Sequence, residues 1–147
     1  MKRVMNRVLI DTNVWVDIVL KRPQFFDESF GAVLACAEEG DRMLVAATSV
    51  KDVFYWAAKS AGAQAGYSAL AMLFETAEVA AMDGPVCERA IDLERPDYED
   101  GMIAACALAE SANLILTRDE TAFCNIGIPK LTPHEYLEGL GYEPIRL

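Results

Sequence analysis

The sequence predicts an α/β fold of three layers, α/β/α, in which helices cover both faces of a central parallel sheet of about five strands. Two observations predict it. Short apolar segments typical of buried strands alternate along the chain with longer segments whose apolar residues recur at helical spacing. In addition, acidic residues stand at the ends of apolar strand segments, where parallel sheets of this class bind their ligands.

The first half of the chain contains the clearest alternation. Val8, Leu9 and Ile10 form an apolar run short enough for a buried strand, and the helix after it must end before Pro23. Gly40 follows the second helix at the position that often ends one. The predicted elements are a strand over 7–12, helices over 13–20 and 27–39, a strand over 43–47, and helices over 49–61 and 65–76.

The second half repeats the same order. Pro85 suits the first turn of a helix, and Asp97 is a typical N-cap before an apolar-periodic segment. The predicted elements are a strand over 78–82, helices over 85–93 and 97–111, a strand over 113–117, a helical turn over 121–125, a short strand over 130–131 and a helix over 133–140.

Length and composition limit the classes of protein. The 147 residues, 53% of them hydrophobic, are predicted to form one domain over 1–147. The chain has no apolar run of about 18 residues, so no membrane span is expected. The N-terminus lacks the apolar region of a secretion signal. The four cysteines are scattered without a C-x-x-C pair, which favours free thiols and a cytoplasmic location.

The net charge of −10 argues against generic nucleic-acid binding, because proteins of that class usually carry a basic surface. A metal site would change this argument locally. Four carboxylates around two divalent cations are neutral as a cluster, so a phosphodiester would meet the ions and not the average surface. The negative charge also makes a basic segment of a partner protein plausible.

Three aspartates carry the functional hypothesis. Asp11 ends the first strand, Asp119 follows the fourth, and Asp100 opens the helix between them. Carboxylates that converge repel each other unless a hard cation lies between them, and oxygen ligands of this kind suit Mg²⁺ or Mn²⁺. The pattern therefore indicates a metal-dependent enzyme acting on phosphate esters.

Each acid also has a structural interpretation. Asp97 is a predicted N-cap, with Asp100 favourable near the helix dipole. Asp119 is a predicted turn cap and Asp11 a predicted Asx turn. Ser49-x-x-Asp52 resembles a capping box with Asp in place of Glu. Since Ser, Thr or Asn can supply a cap, capping alone does not explain acids after two apolar strands.

Three motifs in this order resemble those of PIN-domain nucleases, over essentially the whole chain. The resemblance is greatest to small prokaryotic PIN proteins, many of which are VapC-type toxins of toxin–antitoxin pairs. The motifs are LIDTNV at 9–14, DYEDGMIAACA at 97–107 and LILTRD at 114–119.

The resemblance implies a set of site residues. Asp11, Asp100 and Asp119 match the metal-binding acids of the family, and Asp52 holds a place where the family commonly has Glu. The shorter side chain of Asp52 places its carboxylate about one methylene farther back. The residues implied in support are Asp97, Glu99, Thr12, Asn13 and Thr117, and Lys51 and Arg118 are interpreted either as contacts to a substrate phosphate or as solvated surface.

The resemblance also implies the activity and the partners. The expected reaction is hydrolysis of RNA phosphodiester bonds with one or two Mg²⁺ or Mn²⁺ ions. The expected partners are RNA, an antitoxin protein that presents a basic segment, and a second copy of the chain in a homodimer. The aromatic group of Trp15, Phe54, Tyr55 and Trp56 is interpreted as core packing or as a face for self-association, with stacking on RNA bases as the less favoured reading.

Other functions stay open. A phosphoryl-transfer enzyme with an aspartyl nucleophile would have a second Asp where this chain has Asn13, and a receiver-type signalling domain would have paired acids early in the chain. Another magnesium-dependent phosphoesterase and a catalytically inactive PIN-fold interaction module remain as alternatives. His134, the single histidine, lies at the start of a helix near the C-terminus, so a mechanism with a histidine base is not expected.

Overall fold

A computed structural model describes residues 6–93 and 97–141. The five strands form one parallel sheet in the order β3-β2-β1-β4-β5, so the predicted fold class is confirmed. The predicted domain spans 1–147, and its residues 1–5, 94–96 and 142–147 lie outside the described residues. The strands are β1 (Arg7–Ile10), β2 (Arg42–Ala46), β3 (Glu78–Ala80), β4 (Leu114–Leu116) and β5 (Lys130–Leu131).

Helices connect β1 to β2, β2 to β3 and β3 to β4, whereas bends and turns join the parallel strands β4 and β5. The last helix begins with the capping box of Thr132 and Glu135, and Gly40 and Gly141 end their helices in the left-handed conformation. The helices are α1 (Thr12–Val19), α2 (Phe26–Glu39), α3 (Ala47–Ala61), α4 (Ala63–Thr76), α5 (Gly84–Arg89) with a 3₁₀ helix (Ala90–Leu93), α6 (Tyr98–Ala109) and α7 (Pro133–Leu140).

Two hydrophobic cores lie on opposite faces of the sheet. Successive strand side chains point to opposite faces. In β1, Val8 and Ile10 enter the core that residues of α1–α4 and α7 complete, whereas Leu9 enters the core of α5 and α6. Trp15 is fully buried in the first of these cores, and its indole N–H donates to the carbonyl of Ile10 over 3.1 Å. Helices therefore cover both faces of the sheet, which gives the three layers α/β/α.

The order of the strands creates a crevice at one edge of the sheet. Strand β1 pairs with β2 on one side and with β4 on the other, so the chain leaves the carboxyl end of β1 at the point where the strand order reverses. Ligands of open α/β sheets bind at this topological switch point. The backbone N–H of Asp11 donates to the carbonyl of Leu116 over 2.9 Å, which holds the two strand ends together.

The structure corrects two local predictions. Helix α3 begins at Ala47, so Ser49 lies inside the helix and not at its cap, and the predicted capping box with Asp52 is wrong. The Ser49 hydroxyl instead shares a hydrogen bond of 2.6 Å with the hydroxyl of Thr12. The segment 121–125 forms turns and not a helix, with Phe123 and Asn125 at positive φ.

Two expectations from the composition concern the cysteines and membrane-spanning helices. All four cysteines lie in the described ranges and no disulfide joins them there, and burial raises the pKa of Cys106 to about 11. No helix within residues 6–93 and 97–141 combines the length and the apolar character needed to cross a membrane.

Candidate active site

Asp11 lies at the junction of β1 and α1 and is 5% exposed. It is the N-cap of α1, and its Oδ1 accepts the backbone N–H of Thr12 over 2.8 Å. Burial raises the pKa of Asp11, against hydrogen bonds from Thr117 and Thr12 that lower it, and Asp119 adds repulsion. This bond joins Asp11 to the next residue and not to the N–H two residues on that the predicted Asx turn would use. The other carboxylate oxygen, Oδ2, is held by further polar side chains.

Thr117 joins Asp11 to the loop after β4. Its buried hydroxyl donates to Asp11 Oδ2 over 2.8 Å and accepts the backbone N–H of Asp119 over 3.0 Å. The side-chain amide of Asn13 donates to the same Asp11 oxygen over 3.3 Å, and Asn13 Oδ1 accepts the backbone N–H of Arg118. Thr117 and Asn13 therefore orient the Asp11 carboxylate.

Asp119 caps the turn after β4. Its Oδ1 accepts the backbone N–H groups of Thr121 and Ala122 over 2.9 and 3.1 Å. Partial burial would raise the pKa of Asp119, but these hydrogen bonds outweigh it and lower the pKa. Lys130 supports the same loop, because its ammonium group donates to the carbonyls of Asp119, Glu120 and Ala122.

Asp97 and Asp100 begin α6. Asp97 is the N-cap, and its Oδ1 accepts the backbone N–H of Asp100 over 2.9 Å. Burial is the largest cause that raises the pKa of Asp100 to about 7, followed by repulsion from Asp97, Asp11 and Asp119. The free protein therefore holds these carboxylates close enough to oppose each other's ionisation.

Asp52 enters the site from α3. Lys51 Nζ lies 2.9 Å from Asp52 Oδ1, and this contact raises the pKa of Lys51. Burial raises the pKa of Glu99, and its hydrogen bond with Asp52 raises it further. The shorter acid at this position therefore reaches the side chains of α6.

One cavity of about 290 Å³ collects most of the predicted site residues. Asp97 and Thr117 are not in its wall: Asp97 caps the helix behind Asp100, and Thr117 is buried behind Asp11. The wall also contains Val16, Arg22 and Ile103, which no acidic motif of the sequence indicates. The lining residues are Asp11, Thr12, Asn13, Val16, Arg22, Asp52, Trp56, Glu99, Asp100, Ile103 and Asp119.

The donor set fits a hard divalent cation. The charged groups among the predicted residues that line the cavity are all carboxylates, and the mutual repulsion at Asp100 is what a cation would relieve. Within residues 6–93 and 97–141, no three His, Cys, Asp or Glu side chains stand as a group that could already hold a metal ion. The acids line the cavity, but their carboxylates do not converge on one point.

A second buried acid, Asp17, was missed by the sequence analysis. It is 0% exposed, and Arg118 makes two contacts with it, 2.6 Å from Nε to Oδ2 and 2.9 Å from Nη2 to Oδ1. Ser29 donates to Asp17 over 3.0 Å, and the Arg118 guanidinium stacks 3.7 Å from the ring centre of Phe25. Arg118 therefore joins the loop after β4 to α1. This role differs from both interpretations made from the sequence, a phosphate contact and a solvated surface residue.

The remaining candidates from the sequence divide into a core residue, exposed aromatic residues and an exposed histidine. Trp15 is core, whereas Tyr55 and Trp56 are 52% and 38% exposed. His134 is an exposed residue of α7 that lies 3.1 Å from both Glu28 and Glu138, and its pKa is raised by Glu28. His134 is not among the residues that line the acidic cavity.

A sequence comparison identifies the family. The family model of the PIN domain matches residues 7–121, which include the four acids Asp11, Asp52, Asp100 and Asp119. This match covers most of the chain, and the protein belongs to the PIN domain family. A comparison with curated proteins gives no match.

Solved structures have the same fold. VapBC2 from Rickettsia felis, bound to a DNA fragment of its promoter, has a TM-score of 0.68 at 18% identity over 86% of this chain and 98% of that one. A toxin–antitoxin complex from Klebsiella pneumoniae has 0.64 at 22% identity over 87% and 98%. VapC20 from Mycobacterium tuberculosis, a toxin that cleaves the sarcin–ricin loop, has 0.61 at 11% identity over 95% and 99%. At these identities the likeness shows a shared fold.

Proposed function

We propose that this protein is an endoribonuclease that depends on Mg²⁺ or Mn²⁺, and that it is the toxin of a toxin–antitoxin pair. One observation carries the proposal: acids from the end of β1, the loop after β4 and the helices α3 and α6 line one cavity at the switch point of the sheet. Membership of the PIN domain family and the fold shared with toxins of VapBC complexes support it.

Asp11, Asp100 and Asp119 are the proposed metal ligands, with Asp52 binding directly or through water. When bound, one or two Mg²⁺ or Mn²⁺ ions supply Lewis-acid polarisation of the phosphate and activation of water. Thr117 and Asn13 hold the Asp11 carboxylate in one orientation, and Thr12 is tied to α3 through Ser49. The outer residues Asp97 and Glu99 hold Asp100 and Asp52 in place.

Cleavage of RNA is expected only with a divalent cation present. The test incubates a panel of structured and single-stranded RNAs with the purified protein in Mg²⁺, Mn²⁺ or EDTA. The Asp11→Asn variant is the matched control, because an amide keeps the size of the side chain but removes the charge that binds a cation. Product formation in Mn²⁺ or Mg²⁺ by wild type alone is the expected result, and equal cleavage by the variant would show a contaminating nuclease.

Metal binding has a readout that needs no substrate. Mn²⁺ at about 100 times its Kd should stabilise the wild-type protein by about 2.7 kcal/mol, because a ligand that binds the folded state opposes unfolding. Asp11→Asn should lose this effect. Thermal unfolding with Mn²⁺ or EDTA measures it. Stabilisation without cleavage would indicate a nuclease of narrow RNA specificity, whereas no effect of Mn²⁺ would favour an inactive interaction module.

The proposed partners follow from charge and from exposed apolar surface. An antitoxin segment carrying Arg or Lys would enter the acidic cavity and neutralise its carboxylates. A homodimer would cover exposed apolar side chains such as Tyr67 and Phe74 of α4. Co-purification with the product of a neighbouring small gene tests the first partner. A neighbouring gene that encodes no small protein, and no co-purifying protein, would contradict it.

A further inference from the structure

One part of the cavity wall is neither acidic nor part of the core. Trp56 and Arg22 line the cavity together with its five acidic residues. Trp56 lies four residues after Asp52 in α3, so both side chains project from the same face of the helix. The acids and this indole ring therefore open into one space.

Two cations and a second ring accompany Trp56. The guanidinium carbon of Arg22 lies 6.0 Å from the centre of the Trp56 ring, and Lys59 Nζ lies 5.4 Å from it. Tyr55 packs edge-on against Trp56 with 5.4 Å between ring centres, and Lys59 Nζ is 5.7 Å from the Tyr55 ring. We call these four residues, Arg22, Tyr55, Trp56 and Lys59, the basic–aromatic wall.

Packing does not account for the wall. The residues that α3 buries are Ser49, Val53 and Ala57, whereas Trp56 is 38% exposed beside the cavity. Arg22 and Lys59 place two cations against this ring in a chain of net charge −10, and Arg22 Nη1 also lies 3.4 Å from Oδ1 of the buried Asp17. A flexible polyanion with flat rings has the two features that complement such a wall, phosphates for the cations and bases for the indole.

We propose that the basic–aromatic wall is the subsite for the nucleotide next to the scissile phosphate. An unpaired RNA base stacks on Trp56, and Lys59 and Arg22 meet the flanking phosphates. The inference rests on the proposed ribonuclease function and adds the residues that would hold the substrate beside the scissile phosphate. Stacking needs the free face of a base, which a paired and stacked duplex does not offer.

Cleavage kinetics of Trp56 variants test the subsite. Trp56→Leu should raise KM about 5- to 100-fold and leave kcat within about twofold, because loss of one base-stacking contact weakens substrate and transition state equally. Trp56→Phe should restore most of the affinity. Leu34→Ala, which removes an exposed apolar side chain of α2 that does not line the cavity, is the control and should change neither constant.

Binding without cleavage separates base stacking from charge. In the Asp100→Asn background, an adenosine nonamer should quench the fluorescence of Trp56, whereas an abasic nonamer with the same backbone should not. Trp56→Leu should bind both oligomers equally weakly. Lys59→Gln should keep the preference for the adenosine nonamer and lower the slope of log affinity against log salt by about 0.7.

The outcomes distinguish this inference from the proposed function. If Trp56→Leu cleaves RNA in a metal-dependent way with an unchanged KM, the subsite is refuted and the proposed nuclease function is retained. Loss of dimer mass in Trp56→Leu at unchanged RNA affinity would show that the wall is a surface for self-association, which also overturns it. Quenching by the adenosine nonamer in a wild-type protein that never cleaves RNA would support the subsite and contradict the nuclease.

Discussion

Asp100→Asn is expected to abolish RNA cleavage and, at the same time, to stabilise the metal-free protein. Removal of one ligand charge should lower the cleavage rate on the order of a thousandfold, since a bound metal ion contributes several kcal/mol to transition-state stabilisation. The opposite effect on stability arises because burial and repulsion from Asp97, Asp11 and Asp119 disfavour the charged form of Asp100. The backbone cap from Asp97 is unaffected, so the variant should fold.

The dependence on pH has a definite sign. The pKa of Asp100 is about 7 in the folded protein against an ordinary value of 3.8. Between pH 7 and pH 4 the folded state therefore keeps a proton that the unfolded chain releases, and the free energy of unfolding in EDTA should rise as the pH falls through this window. Because Asp100 is partly solvated, the effect should be on the order of 1 kcal/mol, well below the full value of the shift.

Urea unfolding in EDTA at pH 8 and pH 5 measures both effects. Wild type should gain stability at pH 5 relative to Asp100→Asn, and Asp100→Asn should be the more stable protein at pH 8. Glu88→Gln, which neutralises an exposed acid of α5, controls for the general loss of negative charge. A variant that is less stable than wild type in EDTA at pH 8 would contradict the repulsion argued for this site.

Asp17→Asn is expected to cost about 3 kcal/mol of stability, a large part of what holds a domain of this size together. The substitution leaves the Arg118 guanidinium without its two-fold carboxylate contact at a position where Asp17 is fully buried. The midpoint of thermal unfolding should fall by roughly 8 °C. Because Arg118 holds the loop that carries Thr117 and Asp119, residual cleavage at low temperature should also decrease.

A double-mutant cycle identifies the cause. Arg118→Met alone should destabilise the protein by leaving Asp17 buried with weaker partners, and Asp17→Leu combined with Arg118→Met should recover part of the loss, since a buried pair is often replaced by apolar residues without penalty. Glu88→Gln serves again as the charge control. Single variants that all lie within about 0.5 kcal/mol of wild type would refute the role of this pair.

The local parts of the fold were determined by the sequence itself. Short apolar runs between helical patterns predict the strands β1 to β4, and Pro85 and Asp97 predict helix starts, because hydrophobic period and cap chemistry act over a few residues. The aspartates after β1 and β4 were likewise visible, since parallel strands bring their carboxyl ends to one edge.

Tertiary structure decided the contacts between residues far apart in the chain. Ser49 looked like a cap, yet α3 begins two residues earlier and the Ser49 hydroxyl meets Thr12. Arg118 was compatible with a phosphate contact or with solvated surface, yet Asp17, 101 residues away, binds it. Trp15 and Trp56 look alike in sequence, but one fills the core and the other lines the cavity. Burial and pairing of this kind depend on which helix faces which strand, and no local pattern encodes that choice.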